Sequence, residues 1–198
     1  LILSLSDRRA FPVRGACWLA GFCALLFGSV AVTHADWQPV EVPAAWEPQN
    51  AALSGYDGFA WYRAYVRVPA EWAGSRMLLI AGSIDNVDEA FFNGQRIGAN
   101  GSMPPLYGNP SSNFRRPFVV DPDLVRFGEY NLIAWRVYDK GGRGGIVEGP
   151  VHLSRKDDAI DLAGRWLFRT GDSPAWASWE NRPGSSEAAQ EVRSFFAI

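Results

Sequence analysis

Cysteine is almost absent from this sequence. Of 198 residues only Cys17 and Cys23 are cysteines, and both fall in an N-terminal stretch that reads as an export signal. A mature chain without cysteine has no disulfide, no thiolate nucleophile and no zinc–thiolate centre. Histidine is nearly as scarce: there are two, and only His152 lies beyond that stretch. A Ser-His-Asp arrangement therefore has one candidate base. His152 sits between Val151 and Leu153 near the end of an expected strand, the setting of a structural or surface histidine. An excess of charge of one sign is missing too. With 19 basic and 21 acidic residues the net charge is −2, so the chain has neither the basic surface that nucleic acid requires nor an acidic disordered tail. From Trp37 onward no convincing amphipathic helix appears.

The N-terminal stretch has its own logic. Arg8, Arg9 and Arg14 precede an apolar run of 17 residues, Ala16 to Val32, and Thr33-His34-Ala35 closes it with small residues where a signal peptidase reads. The run is short for a membrane span and carries two glycines, Gly21 and Gly28. Residues 1–35 are thus expected to be a signal peptide, and the mature chain periplasmic or secreted, with no membrane insertion if the signal is cleaved. The sequence opens on Leu1, which fits a fragment or an alternative start codon.

What the sequence has in quantity is aromatic residues and turn formers. Nine Trp, twelve Phe and six Tyr supply core and stacking surface, and 20 Gly and 13 Pro punctuate the chain. Trp61 to Val68 alternates, with Tyr62, Ala64, Val66 and Val68 on one buried face, and Pro69 ends it. Met77 to Ala81 is continuously apolar, as in a central strand covered on both sides. Val87 to Phe92 leads into Asn93-Gly94, a two-residue hairpin turn, with Gln95 to Ile97 as the returning strand. A long loop spans 98–113, a length that in compact domains marks function or mobility. Arg116 to Val120, Asn131 to Tyr138 and Ile146 to Leu153 are further strands, the last preceded by a glycine-rich turn around Arg143. The expected fold is all-β: an antiparallel β-sandwich of the jelly-roll kind over 36–155.

Particular segments carry a family likeness. They are Phe59-Ala60-Trp61-Tyr62-Arg63, Ile84-Asp85-Asn86-Val87-Asp88-Glu89, Asn93-Gly94-Gln95-Arg96-Ile97-Gly98, Asn131 to Asp139 and Gly144-Gly145-Ile146. Together they resemble the sugar-binding jelly-roll domain, galactose-binding-like, of family 2 glycoside hydrolases. The same module is similar to one in sialate O-acetylesterases and to extracytoplasmic sensor domains of bacterial signalling proteins. The resemblance spans roughly Trp37 to Leu153. The sequence contains neither the TIM barrel nor the SGNH-type hydrolase in which those enzymes keep their catalytic centres. It therefore implies a non-catalytic, carbohydrate-binding or supporting module, with a carbohydrate or a covalently linked catalytic domain as partner. The alternatives are a fragment of a glycoside hydrolase or O-acetylesterase, and a ligand-sensing ectodomain.

In the resembling module, the loop before the Trp-Tyr-Arg strand and the loop after the Arg-Val-Tyr-Asp strand lie at one end. Here those loops hold Asn50, Tyr56 and Asp57, and Asp139 and Arg143, and the long loop adds Tyr107 and Arg115. A sugar takes an aromatic platform against its C–H face and charged groups on its hydroxyls. The candidate ligand-binding residues are accordingly Tyr56, Asp57, Tyr107, Arg115, Asp139 and Arg143. The competing reading makes Asp57-Gly58 a turn and Tyr107 a cover for the core. No catalytic residue is expected, because Asp85, Asp88, Glu89, Asp139 and Glu148 sit in strand-turn contexts where acids cap turns or pair with Arg. No cofactor is expected either: a structural calcium is known in modules of this type, but no stretch has the Asp spacing of a calcium loop.

The remaining segment, 156–198, reads as a tail. Gly164-Arg165-Trp166-Leu167-Phe168 resembles the opening strand of a jelly roll, which the domain lacks ahead of Trp37-Gln38-Pro39-Val40. Left free, such a strand exposes two large aromatics and an unpaired edge. It is expected to add to the edge of the sandwich, burying Trp166. The rival is a truncated second domain, and 181–190 is expected to be flexible.

Overall fold

The computed structural model describes residues 37–108 and 116–179, together with Arg193 and Phe195. All of these belong to one compact unit, His34–Ile198. The expected signal (1–35), Arg115 and the stretch 181–190 lie outside the described residues. The strands are β1 Gln38–Val42, β2 Gly58–Arg67, β3 Met77–Ala81, β4 Ile84–Asp85, β5 Val87–Phe92, β6 Gln95–Asn100, β7 Arg116–Val120, β8 Tyr130–Asp139, β9 Gly145–Ile146, β10 His152–Arg155, β11 Asp158–Asp161 and β12 Gly164–Thr170. They form a six-stranded sheet in the order β1-β12-β2-β8-β5-β6, a four-stranded sheet β11-β10-β3-β7, and a short pair β4-β9. Every pairing is antiparallel. The protein is an antiparallel β-sandwich.

Period-two alternation builds the core. From the large sheet, Tyr62, Ala64 and Val66 of β2, Ile133, Trp135 and Val137 of β8, Ala90 and Phe92 of β5, and Trp166 and Phe168 of β12 join one buried cluster. From the small sheet, Met77, Leu79, Val120 and Leu153 join the same cluster. Each large apolar side chain buried this way contributes roughly 1.5–3 kcal/mol. The β5–β6 turn falls on Asn93 (φ 49°) and Gly94 (φ 86°), the left-handed pair such a hairpin requires. Asn93 also ties the turn down: its Nδ2 donates to Leu124 O and its Oδ1 accepts from Leu132 N, both at 2.8 Å.

Four expectations are corrected. β3 is covered on one side only, since Leu78 is 41% exposed. Ile146 to Leu153 is two strands in two sheets, β9 and β10, with Pro150, which has no amide to donate, between them. The 98–113 loop starts later, because β6 runs to Asn100, and Ser102 and Gly108 bridge within it. Most consequential is the tail. β12 docks on the sandwich, but inside the sheet, between β1 and β2, rather than at its edge. Trp166, Leu167 and Phe168 are all buried, so β12 is apolar on both faces and suits an interior position. β1 carries Pro39 and the exposed Glu41 and suits the edge, where a missing amide costs nothing.

The outer face of the large sheet is covered as well. After Gly171 the chain crosses back as a strap, Asp172 to Trp179. Trp61 (0%) and Tyr65 (4%), expected on an outward face, are buried. Trp61 packs against Trp176, and Tyr65 against Trp179 and Phe195. Between these aromatics Arg63 lies 5.0 Å from Trp37 and 5.8 Å from Tyr65, and Arg169 lies 6.0 Å from Trp37 and 4.2 Å from Trp176. These guanidinium–ring stacks let charged groups sit among aromatics.

Candidate functional site

Strand register gathers the site at one end of the sandwich. Gly58, at the start of β2, pairs with Asp139, at the end of β8, and Phe59 pairs with Tyr138. Asp85 of β4 pairs with Gly145 of β9. The loop before β2, the β4–β5 corner and the glycine-rich loop after β8 therefore converge, and Asp57, Asp85 and Asp139 come with them.

The glycine-rich loop is fastened to acids. Asp139 Oδ1 accepts from Gly141 N at 3.0 Å, Glu47 Oε1 from Gly144 N at 2.7 Å, and Asn86 Oδ1 from Lys140 N at 2.8 Å. Trp46 N donates to Gly144 O at 3.1 Å. Glycine is required at 144 by close approach: a Cβ there would collide with the Trp46 ring and stand 2.9 Å from Asp139 Oδ2. The other oxygens of these acids are left over. Asp139 is 0% exposed and its Oδ2 has no hydrogen-bond partner among the described residues, and Glu47 Oε2 is likewise buried and unpartnered among them. Desolvation raises the Asp139 carboxyl to about 6, the Gly141 amide offsets part of that, and the charges of Asp85, Asp57 and Glu47 add to it. Below, Tyr62 turns its hydroxyl toward the Gly145–Ile146 backbone, and burial makes it a weaker acid.

Aromatic rings border the acids. Tyr107 meets Tyr138 edge-on at 5.8 Å, and Tyr138 meets Phe59 at 4.8 Å. Lys140 Nζ stands 5.2 Å over the Tyr107 ring. The Tyr107 hydroxyl is a weaker acid than usual, through desolvation and then the charges of Asp85 and Asp139.

Of the residues expected at the site, Asp57, Tyr107 and Asp139 are brought together. Arg143 is exposed on the glycine-rich loop. Tyr56 is turned inward: its hydroxyl donates to Phe59 O at 2.6 Å and its ring packs edge-on against Trp46 at 5.9 Å. Asn50 caps the turn at Ala52 and donates to Gln38 Oε1. Sequence reasoning missed Glu47, Asn86, Lys140 and Tyr138, and did not assign Asp85 to the site. Asp85 and Asn86 stood in a quoted segment, whereas Glu47 carries no local signal and is recruited only through Gly144. The remaining acids disperse. Glu89 pairs with Arg96 and Arg136, each at 2.9 Å, and Asp88 accepts from Trp135 Nε1 at 2.9 Å. His152 belongs to the other sheet, opposite Ile80 and Asp161. Among the described residues no group of three or more His, Cys, Asp or Glu is placed to hold a metal ion.

No protein-family model matches the chain, and no curated protein matches it. Solved structures similar to it include a glycosyl hydrolase family 2 member from Bacteroides cellulosilyticus, at 16% identity and a TM-score of 0.46 over 71% of this chain. Another is a β-glucuronidase from glycoside hydrolase family 2, at 15% identity and 0.45 over 70%. A third is the β-D-glucuronidase of Dictyoglomus thermophilum, at 17% and 0.41 over 69%. The matches span 18%, 15% and 27% of those chains respectively.

Proposed function

We propose that this chain is an exported, non-catalytic module of the family 2 glycoside hydrolase type. It binds carbohydrate at the converging-loop end of the sandwich and serves a catalytic domain linked to it. The observation that carries the reading is the pairing, at that end, of acids with aromatic faces: Asp57, Asp85 and Asp139 beside Tyr107 and Tyr138. Carboxylates accept from sugar hydroxyls and rings cover sugar C–H faces. The sequence resemblance supports the family type. The burial of Asp139 and the dispersal of Asp88, Glu89 and His152 support binding rather than turnover.

A glycan array probed with the exported portion, residues 36–198, tests this. Hits are expected, and Asp57→Ala and Tyr107→Ala should each weaken them several-fold. Hits indifferent to both substitutions place the binding site elsewhere. A blank array removes the binding role and leaves that of a support for the linked domain.

A further inference from the structure

We propose that Gln49 guards the β1 edge of the large sheet: its side-chain amide stands in for a neighbouring strand and keeps a second copy of this chain from pairing there. The proposal is independent of what the converging-loop end binds.

An edge strand offers a row of backbone N–H and C=O groups to any extended chain that meets it. Along a strand of an antiparallel sheet those groups point alternately to one side and to the other. β1 lies against β12 in the register Val40↔Trp166, Glu41↔Arg165 and Val42↔Gly164. The backbone of Glu41 is turned the other way, to Gln49. Glu41 N donates to Gln49 Oε1 at 2.6 Å, and Gln49 Nε2 donates back to Glu41 O at 3.0 Å. A residue of a paired strand makes the same two-bond exchange, and a side-chain amide can copy it because it carries both a donor and an acceptor. Two positions before Glu41 stands Pro39 and two positions after it Pro43. Neither has an N–H to offer. Glu41 therefore holds the N–H that an incoming strand would use, and Gln49 occupies it.

Gln49 is held in place for this contact. It ends the 3-10 turn Glu47–Gln49. Its own N–H donates to Trp46 O at 3.1 Å, and Nε2 also donates to Ala45 O at 2.9 Å. Beside it, Asn50 Nδ2 donates to Gln38 Oε1 at 2.7 Å. Two consecutive side chains thus lace the turn to β1. The edge is open to approach, because a groove of about 390 Å³ lies there, lined by Pro39, Val40, Glu41, Gln49 and Arg165. The side chain of Glu41 is exposed, and its charge opposes pairing with another copy of itself.

Two readouts in residues 36–198 test the guard. The first is amide exchange. Gln49→Ala should speed exchange of the Glu41 amide about tenfold, the effect of one lost hydrogen bond. Val40 and Val42, on the β12 side, should exchange as in the parent. The second is self-association, followed by sedimentation across a range of protein concentrations. Pro39→Val with Glu41→Thr restores an N–H and removes the charge but leaves Gln49 in place, so this protein should associate no more than the parent. Adding Gln49→Ala to that pair should tighten self-association by about tenfold or more. Equal association with and without Gln49 in that background overturns the proposal. So does a Glu41 amide that exchanges at the same rate in the parent and in Gln49→Ala. Loss of protection at Val40 and Val42 together with Glu41 would make Gln49 a brace that holds β1 in the sheet, and overturns the guard as well.

Discussion

Charged groups occur in two dense clusters here, and the two are built on opposite terms. On the strap face, Arg136 meets Asp172 through a two-pronged contact at 2.7 and 2.5 Å, and meets Glu89 at 2.9 Å. Trp61 Nε1 adds a donor to Asp172 at 3.2 Å, and Arg63 reaches Ser178 O at 3.2 Å. Opposite charges alternate, and rings fill the space between. At the converging-loop end Glu47, Asp57 and Asp85 bear on Asp139, the cations Lys140 and Arg143 are exposed, and Asp139 and Glu47 each leave a buried oxygen with no donor among the described residues. Arg169 Nε on the strap face is also buried without a hydrogen-bond partner among the described residues, so the two clusters differ in the pairing of opposite charges rather than in complete satisfaction. Charge therefore acts as a fastener on the strap face, whereas at the converging-loop end it leaves buried acid oxygens without donors among the described residues.

The largest effect tests the fastener. Ending the chain after Arg155 removes β11, β12 and the strap. That deletes Trp166 and Phe168 from the core and leaves β1 without β12, its one strand partner among the described residues. The shortened chain is expected to lose its cooperative unfolding transition in urea. A transition of unchanged midpoint would show that the tail is dispensable. Within the intact chain, Arg136→Met takes from Asp172 its guanidinium partner and from Glu89 one of two, Arg96 being the other. It should cost about 3 kcal/mol, since charge-assisted contacts are lost at a largely buried position. A loss under about 0.5 kcal/mol by chemical denaturation would place this pairing among ordinary surface ion pairs.

The acidic end should respond differently. Gly144→Ala forces a methyl against Trp46 and Asp139. It should cost about 2 kcal/mol by overpacking and loosen Gly141 and Gly142, read as faster amide exchange there. Smallest is the pH effect. The Asp139 carboxyl stands at about 6 in the fold against 3.8 ordinarily. The folded state thus holds the proton more tightly than the unfolded chain. The resulting stabilisation is present below pH 3.8 and is lost as pH rises through about 6. With allowance for solvent screening, the loss is about 2 kcal/mol or less. Asp139→Asn keeps the acceptor for Gly141 and removes the charge, so it should be more stable than the parent at pH 7.5 and no more stable at pH 4. Equal stability of the two proteins at both pH values would mean that the acids at this end do not burden one another.

Much of the architecture was legible from local pattern. Alternation in 61–68 and 131–138, the Asn93-Gly94 turn and the apolar run of 77–81 are short-range signals, and they lead to β2, β8, the β5–β6 hairpin and β3. Part of the candidate site's clustering was legible too, because Asp57, Tyr107 and Asp139 flank or face strand ends. Glu47 was not, since it meets Gly144 across 97 residues of sequence, and Tyr56 misled because an aromatic beside a turn looks the same whether it faces solvent or packs inward.

The sequence by itself determined which segments are extended and which way their side chains alternate, because period two is a property of the backbone and of hydrophobicity along it. It also carried the tendency of Arg165 to Arg169 to seek a sheet, because aromatics of that size do not remain in water. Only the tertiary structure decided that β12 enters between β1 and β2 and that the strap makes both faces of β2 buried. It also decided that a carboxylate at a strand end, Asp139, is sealed beside three others. Those outcomes depend on which distant segments meet, and no local pattern encodes the dielectric or the neighbouring charges that such a meeting creates.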